Sequence, residues 1–112
     1  SNLITFPNLN GHFIYDAVND FITSIDDAEA RLWGWDKNKP IRYADVLAQV
    51  ENKEKFMEET LGHCKSYNVT SPIQINNGSL VREELTYYFH PDDYEGRSLL
   101  RITGTTELLK IV

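Results

Sequence analysis

The sequence has a single cysteine, Cys64, so it closes no disulfide within the chain and builds no Cys-rich zinc site. It has no apolar run approaching the about 18 residues that a membrane-spanning helix needs, and no basic–apolar–small signal peptide near its head. Positive charge is scarce. Eleven Lys and Arg stand against 17 Asp and Glu, the net charge is −6, and the basic residues form no block. Such a chain gains little from a phosphate backbone or an anionic bilayer, so neither nucleic acid nor a membrane surface is an expected partner. Histidine occurs at His12, His63 and His90, and no His-Glu-x-x-His, Gly-x-Ser-x-Gly or Walker loop is present. His63 and Cys64 are neighbours in a helical stretch, where successive side chains diverge by about 100° and do not face each other. They make no nucleophile–base pair, and Cys64 reads as a small apolar residue on a buried stripe. No catalytic residue and no metal ligand set is expected.

What remains is a globular composition. The 112 residues suit one domain, and a chain of this size can bury roughly two-thirds of its unfolded surface. Hydrophobic residues are 41% and aromatics 12% of the sequence, which argues against disorder. The chain opens Ser1-Asn2 rather than with Met, which reads as a domain cut from a longer protein with a tag remnant at its head. The sequons at Asn68 and Asn77 read as chance in a chain without a secretory signal, and the expected compartment is the cytoplasm.

Residues 1–11 are polar, broken by Pro7 and Gly11, and read as a lead-in. Alternation predicts a strand over 12–16, with Phe13 and Tyr15 on one face, and a second strand over 21–25 closing a hairpin. Asp26 and Asp27 offer an N-cap for a helix over 28–33 that Gly34 ends. A short helix is expected over 43–49, with Val46 and Leu47 inward. The stretch 51–67 is the clearest helix, with Phe56, Thr60, Cys64 and Tyr67 on one stripe and Met57 and Leu61 beside it. Ile73 and Ile75 alternate in 71–76, and Asn77-Gly78 is a strong hairpin signal. Over 79–90, Val81, Glu83, Leu85, Tyr87 and Phe89 share one face, and Arg82, Glu84, Thr86, Tyr88 and His90 the other. A last strand is expected over 97–104, with Leu100 and Ile102 on one face, after which Thr106 to Val112 leaves the domain as the start of a helix. The order, two hairpins around a helical middle, predicts an α+β domain with one antiparallel sheet.

This order resembles the PAS (sensory box) domain over about residues 12–110. The passage from Ser24 to Trp35 is similar to the family's second strand and first helix, with Asp26 where Asn is usual and Gly34-Trp35 where Gly-Tyr is usual. Asn77-Gly78-Ser79 stands where the family has a Gly-containing hairpin. Gly104-Thr105-Thr106-Glu107 resembles the Asp-Ile-Thr-Glu exit toward a signalling helix, with Gly104 and Thr105 at the Asp and Ile positions. The resemblance implies a five-stranded antiparallel sheet with helices on one face and a small-molecule cavity between them. It divides the chain into a lead-in over 1–11, a sensory domain over 12–105 and an exit over 106–112. On the same footing, the cavity candidates are Phe13, Tyr15, Trp35, Phe56, Glu83, Leu85, Tyr87, Leu100 and Ile102, and the signal exit is Gly104, Thr105, Thr106 and Glu107.

Light-sensing flavin members carry an Asn-Cys-Arg-Phe-Leu-type motif, which is absent, and haem members carry an early histidine where this chain has Lys53, Glu54, Lys55 and Phe56. Covalent flavin photochemistry and haem are therefore not expected, non-covalent flavin stays open, and the cofactor is unassigned. The resemblance implies a non-catalytic sensor that binds a small molecule or partner and relays to an output domain of the same chain, such as a histidine kinase, diguanylate cyclase or phosphodiesterase of a bacterial protein. Two rival readings stand beside it. One is a dimerisation module whose Tyr15, Tyr87 and Phe89 fill the cavity, with exposed Tyr88 marking a homodimer contact. The other is a cone-shaped isomerase of the nuclear-transport-factor-2-like type using Glu83 and His63, against which the hairpin-first order speaks. Glu83 is the most informative position. On an inward face its carboxyl needs a partner, a cationic ligand or a raised pKa. Alternatively, a twist, a bulge or an edge position turns it to water. Arg101 alternates to the face opposite Leu100 and Ile102.

Overall fold

The computed structural model describes residues 10–61, 72–93 and 98–110. β1 (Asn10–Asp16) and β2 (Phe21–Ile25) pair as an antiparallel hairpin. Asp16 closes the turn, its Oδ1 accepting from the amides of Val18 and Asn19 at 2.9 and 3.1 Å. Asp20 takes φ 56, a left-handed value that Asp tolerates better than most side chains. α1 (Asp27–Trp33) starts where the Asp26 carboxylate accepts the Glu29 amide at 2.8 Å and ends at Gly34, whose φ of 74 suits glycine. α2 (Tyr43–Gln49) starts where Asp45 reaches back to the Arg42 amide at 2.8 Å, and α3 (Lys53–Leu61) follows. Val50 bridges to Ile75, which leads past β3 (Ile73–Gln74) into the Asn77-Gly78 turn. There Gly78 has φ 90 and the Ser79 amide donates to Asn77 Oδ1 at 2.9 Å. β4 (Leu80–Phe89) and β5 (Leu99–Lys110) complete a five-stranded antiparallel sheet in the order β2-β1-β5-β4-β3.

The alternation expected over 79–90 is the one observed. Val81, Glu83, Leu85 and Tyr87 are buried, whereas Glu84 and Tyr88 are exposed. The core sits between this inner face and the helices. Leu32 and Trp33 from α1, Phe56 from α3, and Val50 meet Ile73, Ile75, Val81 and Leu108. A second cluster joins Leu85, Tyr87 and Ile102, with Phe13, Tyr15, Phe89 and Leu99 packed against it.

Three expectations are corrected. The last strand does not end at 104. Glu107 pairs with Asn10 and Arg82, and Lys110 pairs with Leu80, so residues 106–110 are sheet rather than the start of a helix. They stay in the sheet because β4 pairs with them as far as Lys110 and β1 as far as Glu107, and Thr106 and Leu108 bury their side chains inward. Leu100 does not join Ile102 in the inner cluster. A register shift between Tyr88 and Phe89 pairs Phe89 with Leu99 and Tyr88 with Arg101, so Leu100 is the extra residue and Leu99 packs inward. Met57 is not a core residue: it is 40% exposed, while Phe56 beside it and Thr60 are buried. The lead-in up to residue 9 and the far end of the predicted long helix, with His63, Cys64 and Tyr67, lie outside the described residues, as does the Asn68 sequon.

Candidate functional site

The site is built from transverse rows on the inner face of the three central strands. Gly11, Thr106 and Glu83 form one row, Phe13, Gly104 and Leu85 the next, and Tyr15, Ile102 and Tyr87 the third. The glycines make space for neighbours. A Cβ on Gly104 would lie 2.2 Å from Phe13 Cζ, so this glycine is the floor beneath the Phe13 ring. A Cβ on Gly11 would lie 2.3 Å from Glu29 Oε2 and 2.4 Å from Glu29 Cα, so this one lets α1 approach β1. Asp26 pins that approach, because its carboxylate caps α1 and also accepts the His12 amide of β1 at 3.1 Å.

Glu29 and Glu83 meet at Thr106. Glu29 is 1% and Glu83 3% exposed. Thr106 Oγ1 lies 2.7 Å from Glu29 Oε1 and 2.9 and 3.0 Å from the two oxygens of Glu83. Glu29 Oε1 also accepts from Trp33 Nε1, one turn along α1, at 2.7 Å. A threonine hydroxyl has one hydrogen and cannot donate to both carboxyls. Thr106 therefore donates to one carboxyl at a time, and the other bonds to the hydroxyl only as a protonated donor, while the Trp33 indole donates to Glu29 Oε1 in either case. Glu29 Oε2 is buried with no hydrogen-bond partner among the described residues.

The ionisation of the pair agrees with this chain. Burial pushes the Glu29 carboxyl from 4.5 up to about 7, against the pull of the Thr106 and Trp33 hydrogen bonds; Asp26 adds to the rise and His12 opposes it. Burial also raises Glu83 well above the ordinary range, and the Glu29 charge adds to it.

Above the pair lies a cavity of about 50 Å³, bounded by Glu29 and Trp33 of α1, Trp35, Tyr43 and Val46 of α2, Phe56 and Thr60 of α3, Ile22 of β2 and the inner sheet rows. Trp33 and Trp35 stack at 4.8 Å with planes 3° apart, so the corner around Gly34 is a flat aromatic wall. Tyr43 continues that wall toward Phe56, with ring centres 6.1 Å apart, and its hydroxyl lies 3.0 Å from Thr60 Oγ1. Tyr15 donates to Asp20 Oδ1 at 2.7 Å, which ties the β1–β2 turn to the cavity. Burial and the Asp20 carboxylate raise the Tyr15 phenol pKa.

Of the residues singled out in the sequence, Phe13, Tyr15, Trp35, Phe56, Glu83, Leu85 and Ile102 border this cavity. Tyr87 packs beside it in the second cluster, with its hydroxyl donating to the Thr60 carbonyl. Leu100 stands apart for the reason given above. Gly104, Thr105, Thr106 and Glu107 are mid-strand in β5, and Thr106 belongs to the cavity floor chemistry rather than to a way out of the sheet. Glu83 does face inward, and Arg101 is not its partner: the guanidinium lies over the Tyr88 ring at 4.2 Å on the other face. Sequence reasoning missed Glu29, because an Asp26-x-x-Glu29 spacing reads as a helix-capping box that leaves the glutamate at the surface. The i, i+4 spacing to Trp33 was the available signal for an inward Glu29.

No protein-family model matches the chain, and no curated protein matches it. Among solved structures, it is similar in fold to the crystal structure of a sensory box histidine kinase/response regulator from Burkholderia thailandensis E264. The TM-score is 0.57 at 10% identity, over 88% of this chain and 76% of that one. The α+β architecture, a five-stranded antiparallel sheet with three helices among the described residues, is PAS-like.

Proposed function

We propose that this domain is a non-catalytic sensory module of a cytoplasmic signalling protein. It binds a small molecule in the cavity and relays occupancy through β5 to an output domain of the same chain, such as a histidine kinase or a cyclic-di-GMP enzyme. The observation that carries the reading is the position of Thr106. It is the middle of the Glu83–Thr106–Glu29 chain beneath the cavity and also a residue of β5, which runs on to Lys110. A ligand that disturbs the buried chain therefore acts directly on the strand, and it biases the output only by its differential affinity for two arrangements of that strand. The fold likeness to a sensory box kinase supports a signalling role.

Native against denaturing mass spectrometry of the gently purified domain tests the reading. A mass lost on denaturation is the expected result. A domain that carries no added mass and takes up none from a metabolite extract overturns the ligand-binding reading in favour of a packed dimerisation module. That second reading has its own support. Tyr15 and Tyr87 fill much of the inner face, and Tyr88, 38% exposed, presents a ring on the outer one.

A further inference from the structure

This inference rests on the ligand-binding reading and names the ligand class. Phe13, Leu85 and Ile102 rise into the cavity from the sheet, and Trp33, Trp35 and Tyr43 close it from the helical side. The surface that the lining presents to the space is almost all carbon. Its hydroxyls and the Trp33 indole N–H are committed to protein partners. The indole donates to Glu29 Oε1 at 2.7 Å, and the Tyr15 hydroxyl donates to Asp20 Oδ1 at 2.7 Å. Thr60 gives its one hydrogen to the Phe56 carbonyl at 2.6 Å, so Tyr43, whose hydroxyl lies 3.0 Å from Thr60 Oγ1, is the donor of that pair. Glu29 Oε1 and both Glu83 oxygens lie at Thr106, and Glu29 Oε2 is set against Gly11, where an added Cβ would meet it at 2.3 Å. These contacts turn the two carboxyls toward the sheet rather than into the space.

A buried water needs about two to four polar partners, and this lining offers it carbon. A polar or charged ligand would give up its hydration here for no hydrogen bond in return. An apolar ligand gives up little and gains the dispersion contacts that the facing walls lack across the gap. Size narrows the class. An apolar cavity of about 150 Å³ takes benzene, and this one is about 50 Å³. On that scale the space suits a molecule of about two to four heavy atoms and is too small for a flavin or a haem. We infer that the cavity is a binding site for a small uncharged apolar molecule of the short-hydrocarbon class, held between the Trp33–Trp35 wall and the Phe13, Leu85 and Ile102 side chains. Recognition is by shape and by exclusion of polar molecules. The same contacts reach the strand that holds Thr106. Ile102 is a β5 residue, and the Phe13 ring lies over Gly104 of β5, where an added Cβ would meet Phe13 Cζ at 2.2 Å. An occupant pressing on Phe13 or Ile102 therefore bears on β5 through carbon alone.

The test is an NMR titration of the folded domain with xenon and with cyclopropane, followed at the methyl groups of Val46, Leu85 and Ile102 and at the Trp33 and Trp35 indoles. Acetamide, acetate and ethylammonium serve as polar, anionic and cationic probes of similar size. The expected result is saturable shifts at these nuclei with xenon and cyclopropane, and cyclopropane binding at least about tenfold tighter than any of the three polar probes. Val46→Leu adds a carbon at the cavity edge and is expected to weaken cyclopropane binding roughly tenfold in a variant that keeps a dispersed spectrum. The wild-type selectivity stands as a separate readout should the variant fail to fold. Apolar probes that do not saturate at these nuclei overturn the inference, as does a polar probe that matches cyclopropane there. If acetamide or an ion binds in the cavity, or a mass retained on purification proves polar, the inference falls while the ligand-binding reading survives. If no probe binds and the purified domain carries no mass and takes up none from a metabolite extract, both fall.

Discussion

At the residue scale, the Glu83–Thr106–Glu29 chain makes stability depend on pH in an unusual direction. A carboxyl whose folded pKa is raised stabilises the fold fully below its unfolded pKa and loses that contribution as pH rises through the folded value. For Glu29 the window runs from 4.5 to about 7, and a shift of that size corresponds to roughly 3 kcal/mol. Glu83 shifts in the same direction and carries the loss to higher pH. Asp20 and Asp26, held low by hydrogen bonds to Tyr15 and to the Glu29 and His12 amides, oppose this only under acid conditions. Urea denaturation at pH 5, 7 and 8.5 should therefore give the highest stability at pH 5. Glu83→Gln, which still offers Thr106 a donor, should flatten the profile and exceed the wild type at pH 8.5 by about 1–3 kcal/mol. A wild-type profile that rises from pH 5 to 8.5 would show that the pair does not hold its proton. Gly11 sets the geometry of the same group. Gly11→Ala places a methyl 2.3 Å from Glu29 Oε2 and 2.4 Å from its Cα. Because backbone rather than a flexible tip must move, a loss of about 1–3 kcal/mol is expected in the same denaturation assay.

At the element scale, α1 and β5 carry the site. α1 is only seven residues long and owes its place to Asp26, which caps it and ties it to His12 of β1. Asp26→Ala removes both bonds and should lower stability by about 1–2 kcal/mol, more than a surface substitution such as Glu84→Ala on the other sheet face. β5 is paired with β4 as far as Lys110 and with β1 from Arg101 to Glu107, so removing residues 105–110 should unfold the domain, read as collapse of NMR dispersion, rather than leave a folded core with its exit clipped. The contrast shows which signals a sequence carries. The Asp26 and Gly34 caps and the Asn77-Gly78 turn are local chemistry, and they placed α1 and the β3–β4 hairpin within a residue or two. The length of β5 is decided by pairing with strands distant in sequence, so Gly104-Thr105-Thr106 reads as a break when seen alone. The same holds for Leu100, whose facing depends on a bulge opposite Tyr88 and Phe89 that no alternation pattern contains.

At the scale of the whole molecule, the period-two pattern of β4 was enough to locate the inner face and put Glu83 on it, and the element order was enough to suggest the fold. The second carboxyl lay hidden, because Glu29 is brought to Glu83 only by the packing of α1 over Gly11, a contact between parts of the chain that local pattern does not connect. What the assembled domain does with the space above them separates a sensor from a packing module. If the 50 Å³ cavity is empty and dry in the free state, its cost is of the order of 1 kcal/mol, at about 24 cal/mol per Å³. Val46 borders it from α2 and is only half-buried, so Val46→Leu can extend one carbon into the space without displacing a strand. In a sensor, this variant should gain up to roughly 1 kcal/mol in thermal or urea unfolding of the free domain. It should also lose the stabilisation that the ligand retained on gentle purification gives the wild type, which grows with the logarithm of ligand concentration above Kd. In a packing module the wild type would show no ligand-dependent shift at all, and the variant would gain the same stability with nothing to lose. The two unfolding curves, with and without that ligand, therefore decide between a cavity kept open for an occupant and one that is a defect of packing.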